Sequence, residues 1–178
     1  LAALASEGVE FRGVIYFGLM LTAEGPKVIE YNARFGDPEA QAVLPLVESD
    51  LLELMIASAD GDFGTRELKI KSGGSCCVVM ASGGYPGSYE TGKNIYFTDE
   101  IAEKQKYFTG GNISEVTVFH AGTKLRNDGG YVTSGGRVLG VTAVSDTLSK
   151  AIEDAYAAVG TINFDGMHYR KDIGIKYR

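Results

Sequence analysis

The chain predicts an α+β fold, in which helices and mostly antiparallel strands alternate in mixed order. Three observations carry that prediction. Short runs rich in β-branched and aromatic residues recur between turn residues. Two stretches show the helical period. Glycine is abundant, at 24 of 178 residues, which implies many tight turns and close backbone approaches.

From the N-terminus, "LAALASEGVEFRG" has no basic start before an apolar run, so it is not a secretory signal. Leu1 reads as the tail of a helix cut midway, and a longer parent chain is expected. "GVIYFGLML" (13–21) reads as a strand, "TAEGP" as a turn and "KVIEYN" (27–32) as the return strand. Together they form a hairpin with a loop of about five residues. Asp37-Pro38-Glu39 is a helix start, since Asp accepts bonds from free N–H groups, Pro is tolerated in the first turn and Glu favours the positive dipole end. The short helix runs to about Leu44, where Pro45 interrupts. A second helix fits 50–60, because Leu52, Met55, Ile56 and Ala59 recur at i, i+3, i+4 and i+7, and Gly61 ends it.

"GDFGTRELKIKSGG" (61–74) is turn-rich and marks a domain boundary. The expected division is 1–70 and 71–178. Beyond it, "SCCVVMAS", "NIYFT", "EVTVFHA", "GYVTS" and "RVLGVTAV" read as short strands. "DTLSKAIEDAYAAVGTI" closes as a helix with Leu148, Ile152, Ala155, Tyr156 and Val159 on one face.

Composition narrows the function classes. Apolar residues make up 44% and charged residues 22% of the chain, the balance of an ordinary globular protein. No run approaches the roughly 18 consecutive apolar residues of a membrane span. The net charge of −6 argues against a nucleic-acid surface. The only cysteines, Cys76 and Cys77, are adjacent and would point to opposite faces of a strand. They are expected to be plain thiols, which fits a reducing, cytoplasmic setting.

The stretch that carries chemistry is "VIEYNARFGDPEAQ" (28–41). Alternate strand residues share a face, so Glu30 and Asn32 point the same way, roughly 7 Å apart, while Ile29 and Tyr31 point into a core. A carboxylate beside an amide oxygen suits Mg²⁺ or Mn²⁺ shared with phosphate oxygens. Arg34, just past the strand, offers a planar fork to a carboxylate or phosphoryl group. The Gly-Asp-Pro-Glu turn leads to a helix whose free N–H groups would hold a further anion. A solvated strand face with an ordinary cap is the alternative.

"GVIYFGLMLTAEGPKVIEYNARFGDPEAQAVLPL" resembles the catalytic end of the ATP-grasp ligases. "RFGDPE" after a Glu-aromatic-Asn run is similar to one family among them, the phosphoribosylamine–glycine ligases (glycinamide ribonucleotide synthetases). "GGYPG" (83–87), "FHAGT" (119–123), "GGRVL" (135–139) and "YRKDIG" (169–174) extend the resemblance along nearly the whole chain. It implies the C-terminal part of an ATP-grasp catalytic domain over 1–70, followed by a small, mostly antiparallel substrate or closure domain with a closing helix over 71–178.

The activity implied is ATP-dependent ligation of glycine to 5-phosphoribosylamine through a glycyl phosphate, a step of purine synthesis. ATP and Mg²⁺ or Mn²⁺ are the implied cofactors. Glu30 and Asn32 would hold the metal, and Arg34 would be catalytic, stabilising the transferring phosphoryl group or the glycine carboxylate. Arg34, Gly36, Asp37 and Glu39 would meet substrate, with helix capping the alternative for Asp37 and Glu39. The strand before, "YFGLML", offers no further metal carboxylate. His120, Thr123 and Arg137 are weaker candidates, His120 having a structural alternative. "SGGRVLGV" leads into a strand rather than a helix, so hairpin geometry accounts for its glycines better than anion binding.

The adenine pocket and the phosphate-gripping lysine would come from N-terminal and ATP-binding lobes that the resemblance places before Leu1. The chain alone is therefore expected to be inactive. Neither nucleic acid nor membrane is an expected partner. Two other readings stand beside this one: an ATP-grasp carboxylate–amine ligase with a different substrate, and a non-catalytic fragment retaining the fold.

Overall fold

A computed structural model describes residues 2–98, 106–109 and 112–177; Leu1 lies outside them. Chain contacts divide the protein into two units, residues 1–40 with 47–71 and residues 41–46 with 72–178.

The first unit starts with a short helix, α1 (Ala2–Ser6), and a hairpin of β1 (Tyr16–Thr22) and antiparallel β2 (Gly25–Asn32). Its turn is tighter than expected, only Ala23 and Glu24 separating the strands. The Thr22 hydroxyl donates to the Gly25 carbonyl at 2.8 Å and accepts from the Glu24 N–H at 3.2 Å. Gly25 takes φ +101°, a conformation that L side chains rarely adopt, and so permits the shorter loop.

A β-bulge between Gly18 and Leu19 leaves Ile29 as an extra residue in β2. It divides the ribbon into two chemical faces. Phe17, Leu19 and Leu21 lie opposite Tyr31, Val28 and Pro26, whereas Tyr16, Gly18 and Met20 lie opposite Asn32, Glu30 and Lys27.

The core expected under this hairpin is absent among the described residues. Ile29 and Tyr31 are each 63% exposed. The Tyr31 ring packs edge-on to Phe17, with centroids 5.2 Å apart, but nothing described covers the pair. A two-stranded ribbon can shield only one side of each side chain, so alternation alone cannot bury them.

α2 (Glu39–Val43) is followed by a 3₁₀ turn at Leu44–Leu46, as Pro45 dictates. α3 (Leu51–Asp60) is capped by the Asp50 carboxylate, which accepts from the N–H groups of Leu52 and Glu53 at 2.9 and 3.1 Å. Gly61 ends the helix in the left-handed conformation, φ 72°. Replacing Asp50 by alanine is expected to cost about 1 kcal/mol locally, seen as faster hydrogen exchange at the first α3 amides. Only Ala57 of α3 is buried, so the Leu52, Met55 and Ile56 stripe specifies a helix without finding a described partner. Residues 66–70 fold back along 47–49, where the Ser49 hydroxyl donates to the Glu67 carbonyl and accepts from the Lys69 N–H.

The second unit holds the core. Its main sheet has the order β11-β3-β9-β6-β5, with every neighbour antiparallel. The strands are β3 (Gly74–Ala81), β5 (Lys106–Thr109), β6 (Asn112–His120), β9 (Arg137–Ser145) and β11 (His168–Tyr169). The smaller sheet, ordered β10-β4-β8-β7, comprises β4 (Asn94–Phe97), β7 (Thr123–Leu125), β8 (Tyr131–Thr133) and β10 (Ile162–Asn163).

α4 (Leu148–Val159) packs on the main sheet. Val78 and Met80 of β3, Leu139 and Val141 of β9, and Ile152 and Val159 of α4 are fully sealed. Thr147 caps α4 by accepting from the Lys150 N–H at 3.2 Å. Buried Asp154 accepts from the Ser145 hydroxyl at 2.9 Å and the Lys150 ammonium at 2.6 Å, so its charge is paired where desolvation is severe. Cys76 is buried and Cys77 half-buried, and both are thiols rather than disulfide partners.

The glycines of "SGGRV" do not close a hairpin. β8 pairs with β4 and β7 while β9 pairs with β3 and β6, so this turn carries the chain from one sheet to the other. A Cβ on Gly122 would stand 2.6 Å from the Gly135 Cα, and one on Gly136 would enter the Tyr85 ring. The glycine-rich stretches GGYPG, AGT and SGG thus meet as a packing joint between sheets.

Candidate metal and substrate site on the first hairpin

The register of the hairpin decides which side chains meet. Asn32 lies opposite Tyr16 and Glu30 opposite Gly18, so the carboxylate and the amide project from one face, as alternation predicts. Glu30 is exposed and Asn32 half-buried. Gly18 is buried, and a Cβ there would stand 2.9 Å from the Glu30 Cγ. The absence of a side chain at Gly18 therefore leaves Glu30 its place. Ile29 and Val28, displaced by the bulge, do not interrupt this polar face.

Downstream, the turn after β2 brings a second carboxylate to the same hairpin end. Glu39, the first residue of α2, folds over Gly36, and its carboxylate fills the position a Cβ of Gly36 would take. Burial first, then the charge and hydrogen bond of Glu39, then the charge of Glu30, push the Tyr16 phenol above its ordinary value. The phenol therefore keeps its proton at neutral pH. The influence of both carboxylates on this phenol has no signal in the sequence, because no spacing pattern links residue 16 to residues 30 and 39.

Arg34 is exposed, and its guanidinium donates to the Phe35 carbonyl at 2.6 Å. Asp37 is exposed and joined to Pro38 by a cis peptide. α2 spans only Glu39–Val43, too short for an aligned dipole of useful size, so the expected anion site at its N-terminus is withdrawn.

His120, Thr123 and Arg137 belong to the second unit. His120 ends β6, and its Nδ1 lies 3.0 Å from the Thr123 hydroxyl. The imidazole stacks on Tyr131, with centroids 4.5 Å apart, and Phe97 lies beyond at 6.2 Å. Burial lowers its pKa, favouring the neutral ring. Arg137 starts β9, where its carbonyl accepts from the Gly122 N–H at 2.8 Å.

No group of three or more His, Cys, Asp or Glu suited to a metal occurs among the described residues. A cage made only of protein acids is therefore not what these residues build. One free carboxylate beside one amide fits Mg²⁺, which keeps waters and substrate phosphates in its shell.

Comparison with known proteins places the chain. The family model described as "Phosphoribosylglycinamide synthetase, C domain" matches residues 75–176, and that described as "Phosphoribosylglycinamide synthetase, ATP-grasp (A) domain" matches residues 1–40. A phosphoribosylamine–glycine ligase of Caldanaerobacter subterraneus is 46% identical over 98% of this chain and 39% of its own length. The crystal structure of the phosphoribosylamine–glycine ligase of Thermotoga maritima superposes with a TM-score of 0.76 at 31% identity, over 97% of this chain and 39% of that one. The biotin carboxylase domain of Hydrogenobacter thermophilus 2-oxoglutarate carboxylase, crystallised with MgADP and bicarbonate, shares the fold at a TM-score of 0.58 and 16% identity, over 96% of this chain and 37% of its own. This chain thus spans about 39% of the length of the ligases it matches. The chain belongs to the phosphoribosylglycinamide synthetase family, with residues 1–40 matching its ATP-grasp (A) domain and residues 75–176 its C domain.

Proposed function

We propose that the full-length protein ligates glycine to 5-phosphoribosylamine at the expense of ATP, and that this chain supplies the metal-binding edge of the site. The observation that carries the proposal is the shared face of Glu30 and Asn32, kept together by the register of β1 and β2. Glu30 would hold Mg²⁺ through its carboxylate and Asn32 through its amide oxygen. The cation, when bound, supplies charge neutralisation at the phosphates of ATP. Family membership and the MgADP complex of a protein with the same fold support Mg²⁺, and the same hard oxygen donors admit Mn²⁺.

The remaining roles follow from chemistry of the named groups. Arg34 is held by a single carbonyl of its own loop and can turn to a phosphoryl or carboxylate group, where its planar fork is worth most. Glu39 and Asp37 are anionic and suit the amino group of glycine or of the ribosylamine, while Gly36, lacking a side chain, leaves room for the Glu39 carboxylate at the turn where substrate would bind. The glycine carboxylate would attack the γ-phosphate, giving glycyl phosphate and ADP. The amine would then displace phosphate to give glycinamide ribonucleotide. We assign residues 1–70 to the catalytic domain and 71–178 to a substrate or closure domain. His120 and Thr123 take a structural role in the second unit, and Arg137 is left as a candidate substrate contact. Cys76 and Cys77 as thiols fit a cytoplasmic purine enzyme.

The test is ADP release that depends on both glycine and phosphoribosylamine, in the full-length protein and in these residues alone. The full-length protein is expected to turn over with glycine and not with other amino acids. The isolated chain is expected to show no activity above background. A preference for another amino acid would favour the neighbouring ligase chemistry instead.

A further inference from the structure

The outer face of the smaller sheet carries polar side chains that the ligase reading leaves unused. Lys124, Val132 and Asn94 stand side by side across β7, β8 and β4, and directly paired strand residues share a face. Tyr96, two residues after Asn94, joins them, and its hydroxyl accepts from the Asn94 amide at 3.3 Å. The opposite face is occupied, since Ile95 is buried and Phe97 and Tyr131 pack against the core. Along β7 and its turn into β8 runs a cleft of about 470 Å³, lined by Lys124, Arg126, Asn127 and Asp128 and by the apolar Leu125 and Val132. That volume is in the range of a small-metabolite site.

The charges in the cleft are unevenly committed. Arg126 is held at two corners of its guanidinium, which donates to Asn94 Oδ1 at 2.6 Å and to the Asp128 carboxylate at 2.6 Å. The other Asp128 oxygen accepts from the Gly130 N–H at 3.1 Å, so this acid serves the turn. Lys124 has no ion pair or hydrogen bond among the described residues. Two cations against one carboxylate leave the cleft positive, on a chain whose net charge is −6.

We propose that this cleft binds a phosphate monoester carried on a sugar. Lys124 supplies a mobile charge to the phosphate, and Arg126, already oriented, its remaining N–H donors. The Asn127 amide suits sugar hydroxyls. Tyr96, 62% exposed beyond Asn94, offers a ring to the C–H face of the sugar. A lone small anion would satisfy Lys124 and use little of the volume. Such a sugar phosphate has two sources, the ribosylamine substrate itself or a separate nucleotide effector.

The probe is ribose 5-phosphate, titrated calorimetrically into the full-length protein and its Lys124→Ala and Lys124→Arg variants. Lys124→Ala is expected to weaken binding about tenfold, and Lys124→Arg to keep most of it. Melting should not change, because Lys124 holds no partner in the fold. Wild-type affinity should fall as salt is raised. Steady-state kinetics separates the sources. If the substrate occupies the cleft, Lys124→Ala raises KM for phosphoribosylamine about tenfold, with kcat and KM for ATP unchanged. If an effector does, that KM stays the same and a nucleoside monophosphate loses its binding to Lys124→Ala. Equal affinity for ribose 5-phosphate in all three proteins would overturn the proposal. So would inorganic phosphate binding as tightly as the sugar phosphate, which would mark a charged surface without a sugar site. Binding is read without turnover, so a negative result here leaves the ligase reading standing, and an inactive ligase leaves this site testable.

Discussion

Glu30→Ala in the full-length ligase is expected to lower kcat on the order of 10³-fold, about 4 kcal/mol of transition-state stabilisation. The side chain is exposed and lies over Gly18, so truncation opens no cavity and thermal stability should barely change. That separation of activity from stability is what makes the substitution informative. A carboxylate contributes a full charge to the metal site, whereas the Asn32 amide contributes a dipole, so Asn32→Ala should cost less than Glu30→Ala. Steady-state kinetics over a Mg²⁺ titration checks the prediction: the Glu30→Ala enzyme should need far more Mg²⁺ and fail to recover full rate. If instead it turns over normally, the shared face of Glu30 and Asn32 is a solvated strand edge and the catalytic reading fails.

The sequence carried the local chemistry of this region well. Period-two alternation places Glu30 and Asn32 on one side, and the β1 register agrees, because the bulge falls at Gly18/Leu19 and leaves Glu30 and Asn32 paired on the same face. Pro45 and Gly61 each act through their own backbone geometry, so the boundaries they set were legible residue by residue, whereas the Asp50 cap that starts α3 was not read. Burial was not. Ile29 and Tyr31 were expected to enter a core because strands of this composition usually have one, but a core needs a second layer, and no pattern within residues 27–32 can say whether it is present. Likewise the glycines of AGT and SGG were visible, yet their contact across about a dozen residues depends on two sheets meeting at one joint. Tyr16 carries no sequence signal for a related reason. The charge that acts on its phenol belongs to Glu39, which is distant in sequence and brought back only by the turn after β2.

Phe164→Ala is expected to be the most damaging single truncation in the chain, costing about 3–5 kcal/mol. Phe164 is 1% exposed and belongs to one continuous cluster with Val78, Met80, Leu139 and Ile152. Its removal leaves a void in that cluster that those side chains can only partly fill. Since a domain of this size retains only about 5–15 kcal/mol in total, the second unit should lose much of its margin. Urea denaturation of the chain, followed by circular dichroism, would read this as a large fall in the midpoint. Ile29→Ala makes the contrast. By hydrophobicity alone it should also be severe, but at 63% exposure it is expected to change stability by less than about 0.5 kcal/mol. The two substitutions thus separate what the sequence says about a residue's character from what the fold does with it. If Ile29→Ala destabilised this chain as much as Phe164→Ala, the apolar face of the hairpin would have to be packed rather than open, and the division into a cored unit and an uncovered one would be wrong.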